Sequence, residues 1–246
     1  MSILRPTLLI LGLALCRMAS ASTTVTVTGI NTAQGQNLYF TEDGTVVQGY
    51  AGAIVVNANN ASTSVLCVDL FTNISINDVF QVNFLHPQYI DPVNTARGSR
   101  AAYLFVTQFG TIGSHLSSMN PSLTLAQATA ALQFAIWDII HDGGDGFAAG
   151  RIRSSSASGQ ATDTAVLNAA IQHIQFSLNY QSGPTNATVW RHVNGPLVKQ
   201  QLLGFYQPGT DHGVPEPGSA LLIGGGLGLL GWRHYRHRKP KEPVAE

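Results

Sequence analysis

The sequence of 246 residues predicts an α+β domain, an antiparallel sheet or partial β-barrel with an inserted helical lobe. Three observations carry this expectation. Short runs rich in Val, Ile and Thr, separated by Gly and Asn turns, fill the first third of the chain. A block of three segments with helical periodicity follows. Two further strand-like runs then close the domain.

The first strands are expected at residues 23–30, 37–41 and 53–56. Residues 65–70, Val-Leu-Cys-Val-Asp-Leu, alternate so that Leu66, Val68 and Leu70 share one face while Val65, Cys67 and Asp69 share the other. Cys67 is thereby placed to meet another layer. Residues 78–85 continue the sheet. Helices are expected at 97–109, 124–141 and 163–179. The second opens on Thr124-Leu125-Ala126-Gln127, which has the form of a capping box, and stops at Gly143-Gly144. Its core stripe is Leu125, Ala128, Leu132, Ala135, Ile136 and Ile139, with Gln133 beside it. The serine-containing stretch 151–159 reads as a surface loop, and residues 187–193 and 200–206 as the closing strands.

Charge and the two ends bound the function. Charged residues are 11% of a chain that is 44% hydrophobic, which excludes a disordered polymer. Between Ser22 and Val214 six basic side chains face ten acidic ones, so no nucleic-acid partner is expected. Arg5, the apolar run 8–15 and Ala19-Ser20-Ala21 form a secretory signal cut after Ala21, giving a signal peptide over residues 1–21. A lipoprotein cut before Cys16 is the rival, against which Leu15 stands where a small residue is needed. Residues 22–213 are then the extracellular domain and 214–246 a terminal segment. That segment runs from Pro215-Glu216-Pro217 through the apolar stretch 220–232 to a cluster of arginines, histidines and a lysine. It resembles the PEP-CTERM sorting signal of Gram-negative bacteria. The resemblance implies an exosortase-type processing enzyme as partner, an inner-membrane anchor through the C-terminal helix before processing, and final placement at the cell surface or in the extracellular matrix.

Removing the signal leaves Cys67 as the one cysteine of an exported protein. A buried inert thiol, an intermolecular disulfide and a catalytic thiolate all fit that count. Leu66-Cys67-Val68-Asp69 together with Leu132-Gln133-Phe134-Ala135-Ile136-Trp137 resembles the bacterial thioester domain of Gram-positive surface adhesins. Arg100-Ala101-Ala102-Tyr103-Leu104-Phe105 is also similar, while Leu132 stands where that family commonly has Thr. The resemblance implies a thioester cross-link between Cys67 and Gln133, with loss of ammonia, for covalent attachment to an extracellular protein or polysaccharide nucleophile. It implies single-turnover capture, with no catalytic residue, no cofactor and no metal. Trp137, Phe134, Phe71 and Tyr103 are expected to exclude water from the bond. Asp69 and His141 are candidate helpers in proton transfer, although a histidine at a helix end also complements the helix dipole. Asp142-Gly143-Gly144-Asp145-Gly146 reads as a Gly-rich helix stop with a faint likeness to a calcium loop. Two other functions compete: a non-covalent structural protein of the exopolysaccharide or biofilm matrix, and a cysteine hydrolase or transferase using Cys67 with His141 or His115.

Overall fold

Threonine alternating with valine from Thr23 builds strand β1, with Val25 and Val27 turned inward and Thr24 and Thr28 left in solvent. The computed structural model describes residues 22–70, 72–114, 122–155, 157, 159, 161–181, 186–193 and 199–205. Both terminal segments, Phe71 and His115 lie outside the described residues. The domain belongs to one compact unit, Ala21–Pro208.

Among the described residues the strands are β1 (Thr23–Glu42), β2 (Thr45–Ala58), β3 (Ala61–Cys67), β4 (Val79–Leu85), β5 (Ile152–Ser154), β6 (Ala187–His192) and β7 (Leu202–Phe205). The principal helices are α1 (Thr95–Gln108), α2 (Leu125–Asp142) and α3 (Thr164–Ser177). All strand pairs are antiparallel. The pairings run β2-β3-β7-β6-β4-β1, and β1 pairs with β2 again, so six strands form a ring with β5 outside it on β1. The expected α+β class and partial barrel are therefore borne out.

Turn chemistry sets the ring's first half. Asp43 and Gly44 at positive φ join β1 to β2, and Asn59 and Asn60, also at positive φ, join β2 to β3. These two-residue turns match the right-handed twist of the strands they link. Two expectations need correction. Residues 23–30 and 37–41 belong to one 20-residue strand, because the intervening Gly and Asn residues make register shifts instead of turns. The expected loop at 151–159 contains β5, which is too short to show a period. It forms because Phe40–Glu42 offer an unpaired edge and because Asp142 accepts the backbone N–H groups of Arg151 and Ile152.

Helix α2 begins with the full capping box, Thr124 accepting from the Gln127 N–H while the Gln127 side chain accepts from the Thr124 N–H. It ends at Gly143, in the left-handed region. Every residue from Ala128 to Ile140 is buried. The expected one-sided stripe therefore becomes a helix covered on all sides, packed against β1 and β2 on one flank and α1 and α3 on the other. Phe40 of β1 meets Phe134 and Trp137 of α2 at ring-centroid distances of 5.6 and 5.7 Å.

The covering helix α3 carries a buried titratable group. His173 is 1% exposed and its Nε2 has no hydrogen-bond partner among the described residues. Burial pushes its pKa down from 6.5 to about 4. The folded domain holds the neutral ring, so the unfolded chain binds the extra proton between these two values. The contribution of His173 to stability is thus full above pH 6.5 and is lost as pH drops towards about 4, by about 3 kcal/mol at the low end. Urea titrations at about pH 7 and about pH 4.5 are expected to show a smaller acid loss in His173→Phe than in the parent chain. Equal losses would remove His173 as the cause.

Candidate functional site

The site is built where β3 leaves β2. The β2–β3 ladder ends at the pair Ile54 and Val65, so the Cys67 backbone has no β2 partner. On its other flank Cys67 pairs with Leu202 of β7. The vacated flank is filled by a side chain. The Cys67 N–H donates to Gln133 Oε1 at 3.0 Å, and Gln133 Nε2 donates to the Cys67 carbonyl at 2.6 Å. A carboxamide has one acceptor and one donor group in a fixed plane, so it mimics the missing strand neighbour. Gln133 is 0% exposed, which makes both bonds obligatory for a dry interior.

The thiol points elsewhere. Cys67 Sγ donates to Gln200 Oε1 at 3.0 Å, while Gln200 Nε2 donates to the Asp69 carbonyl. Gln200 is placed by the strand that follows it. The Val68 N–H donates to the Gln201 carbonyl at 3.0 Å, and Lys199 Nζ meets Asp78 at 2.8 Å. Cys67 and Gln200 are 133 residues apart along the chain.

Cys67 is 4% exposed, and burial together with the nearby Asp69 pushes its thiol pKa up. The sulfur is a neutral thiol at physiological pH, with its proton directed at a carboxamide oxygen. It lies with Gln200 and Trp137 on the wall of a cavity of about 720 Å³. Phe40, Tyr50, Ile54 and Leu70 supply apolar surface there, and Glu42, Gln48, Asn73 and Ser75 supply polar groups. Burial, with Asp43 beside it, raises the Glu42 carboxyl pKa.

The other sequence-derived candidates fall in different places. Trp137, one helical turn beyond Gln133, lines the cavity and is 2% exposed. Its Nε1 has no hydrogen-bond partner among the described residues. Asp69 accepts from Thr72 Oγ1 at 2.6 Å. His141 hydrogen-bonds to the Val68 backbone; burial lowers its pKa and Asp69 opposes that shift. Neither Asp69 nor His141 is on the cavity wall. Phe134 stacks on Phe147 at 4.0 Å, and Tyr103 on Phe176 at 5.6 Å, so these rings serve the core and the α1–α3 contact.

Sequence reasoning missed Gln200. The available signal was its place at the start of the expected strand 200–206. That this strand lies beside β3 is a fact of sheet order and leaves no local mark.

Comparison with known proteins gives one match to the C-terminal segment and one to a solved structure. The PEP-CTERM protein-sorting motif matches residues 213–239, which include Pro215, Glu216 and Pro217. This motif marks the chain for export and sorting to the cell surface and supports an exosortase-type enzyme as its processing partner. No curated protein matches the sequence. The structure is similar to the N-terminal thioester domain of a surface protein from Clostridium perfringens, with a TM-score of 0.42 and 13% identity, covering 76% of this chain and 99% of that one. Among the described residues no helix is long and apolar enough to cross a membrane, and the C-terminal apolar stretch lies outside them.

Proposed function

We propose that this exported, surface-sorted protein forms an internal thioester between Cys67 and Gln200 and uses it for one covalent attachment to an extracellular nucleophile. The observation that carries the reading is the contact of Cys67 Sγ with the Gln200 carboxamide, 3.0 Å, in a buried niche where Gln133 is already engaged by the Cys67 backbone. Sγ attacks Gln200 Cδ, the C–N bond breaks, and the thiol proton leaves with the amide nitrogen as ammonia. Holding the two groups in contact makes a difficult step effectively unimolecular. Gln133 orients the nucleophile through its backbone. Phe40, Leu70 and Trp137 shield the product from water. An amine or hydroxyl entering the cavity then attacks the same carbonyl carbon, expels the Cys67 thiol and remains joined to Gln200. Glu42, on the same wall with Oε1 buried and without a hydrogen-bond partner among the described residues, takes the nucleophile's proton in this reading. Capture occurs once per molecule, so the protein is not a turnover enzyme.

Intact mass of the freshly purified full chain tests this. A deficit of one ammonia is expected, lost in Cys67→Ala and in Gln200→Ala, with a proteolytic map joining the Cys67 peptide to the Gln200 peptide. Full calculated mass in folded protein would refute the thioester. A map joining Cys67 to Gln133 would refute the choice of partner. The burial that keeps Cys67 a neutral thiol favours a second reading, a non-covalent matrix protein. That reading requires surface retention to be unchanged by Cys67→Ala.

A further inference from the structure

A second cluster lies at the C-terminal end of α2. Asp138, Asp142 and Asp145 each bring one carboxylate oxygen within 4.8 Å of the others. Asp138 and Asp142 are one helical turn apart, and Gly143, Gly144 and Gly146, all at positive φ, fold Asp145 back towards them. Gly150 closes the far side. A Cβ there would fall 2.8 Å from Asp142 Oδ2 and 3.1 Å from Asp145 Oδ2. Three carboxyl groups are thus gathered beside the negative end of a helix dipole, an arrangement that a bound cation would relieve.

A separate observation concerns Asp138 itself. It is 0% exposed, its Oδ2 accepts from the Gly146 N–H at 3.2 Å, and its Oδ1 has no hydrogen-bond partner among the described residues. A buried carboxylate oxygen without a donor is costly unless a ligand completes it. Arg100, a cation whose charge acts on Asp138, directs hydrogen bonds to the Gly143 carbonyl and Ser177 Oγ.

We propose that Asp138, Asp142 and Asp145 bind a divalent cation of the calcium class, with Asp138 Oδ1 as the buried ligand. The donors are all hard oxygens, without a sulfur or imidazole in the cluster, which selects calcium or magnesium over zinc or copper. The Asp142 oxygens accept the Arg151 and Ile152 N–H groups, and each keeps a further lone pair for a metal. A cation here ties the end of α2 to the strand β5 that Asp142 already holds. The site is independent of the thioester, and its affinity belongs with extracellular calcium modules, about 0.1–1 mM.

The test uses the full chain stripped with EDTA, titrated with CaCl2 by calorimetry and by thermal unfolding, with MgCl2 in parallel. Saturable binding of Ca²⁺ at about 0.1–1 mM and a matching rise in melting temperature are expected. Asp145→Ala removes an exposed ligand without disturbing the core and is expected to weaken calcium binding about tenfold or more. Asp138→Asn is expected to abolish it. No heat and no thermal shift up to about 10 mM Ca²⁺ would overturn the proposal, as would undiminished binding in Asp145→Ala.

Discussion

Gln133→Leu is expected to destabilise the domain by about 3 kcal/mol or more and to abolish the ammonia deficit, although Gln133 is not the proposed acyl partner. Leucine keeps most of the volume, so the effect is not a cavity effect. The substitution strands the Cys67 N–H and C=O in a site where Gln133 is 0% exposed and no β2 partner is within register. Each stranded group costs about 1–3 kcal/mol. The end of β3 then loses its position, and the thiol its aim. Urea unfolding of Gln133→Leu alongside Gln200→Ala separates the two roles. Gln200 is only partly buried and lies just before β7, so beyond the loss of the cross-link itself, which both variants share, its removal is expected to cost about 1 kcal/mol or less. An unchanged unfolding midpoint in Gln133→Leu would show that the clamp on Cys67 holds nothing together.

Trp137→Ala is expected to cost about 3–5 kcal/mol, within the range for truncating a buried aromatic. Its ring packs on Phe40 at 5.7 Å and forms part of the wall that faces Cys67 and Gln200. Truncation therefore opens the niche as well as the core. Thermal unfolding reports the first effect. The second is read as the time over which the ammonia-deficient species regains mass by adding water: it is expected to shorten in Trp137→Ala and to change much less in Trp137→Phe, which retains a ring against Phe40. A lifetime that does not respond to Trp137→Ala would mean that water is excluded by other side chains.

The proposed reactive pair and the clamp arise from different kinds of information. Cys67 could be found from the sequence because it is the one cysteine outside the expected signal and because strand alternation turns it towards a second layer. Gln133 drew notice as an amide in an apolar helix, and the structure explains its presence: it satisfies a backbone that the diverging sheet has left open. The expectation that Gln133 meets the sulfur is answered differently by the geometry, since its carboxamide is used at both ends on the Cys67 main chain. The acid cluster shows the same division. Asp142 and Asp145 are visible as a Gly-rich acidic stop, whereas Asp138 joins them only because α2 is buried on every face and turns that carboxylate inward.

By itself the sequence determined what depends on near neighbours: the α+β class, the capping box and glycine stop of α2, the C-terminal sorting motif, and the candidacy of Cys67. Tertiary structure alone decided what depends on long-range pairing: one continuous β1, the strand β5, closure of the ring through β1 and β2, and the placing of Gln200 against the thiol. The physical reason is range. Periodicity, caps and turns are written within a few residues, but strand order is chosen by burial of whole faces, and a contact across 133 residues of chain has no local signature.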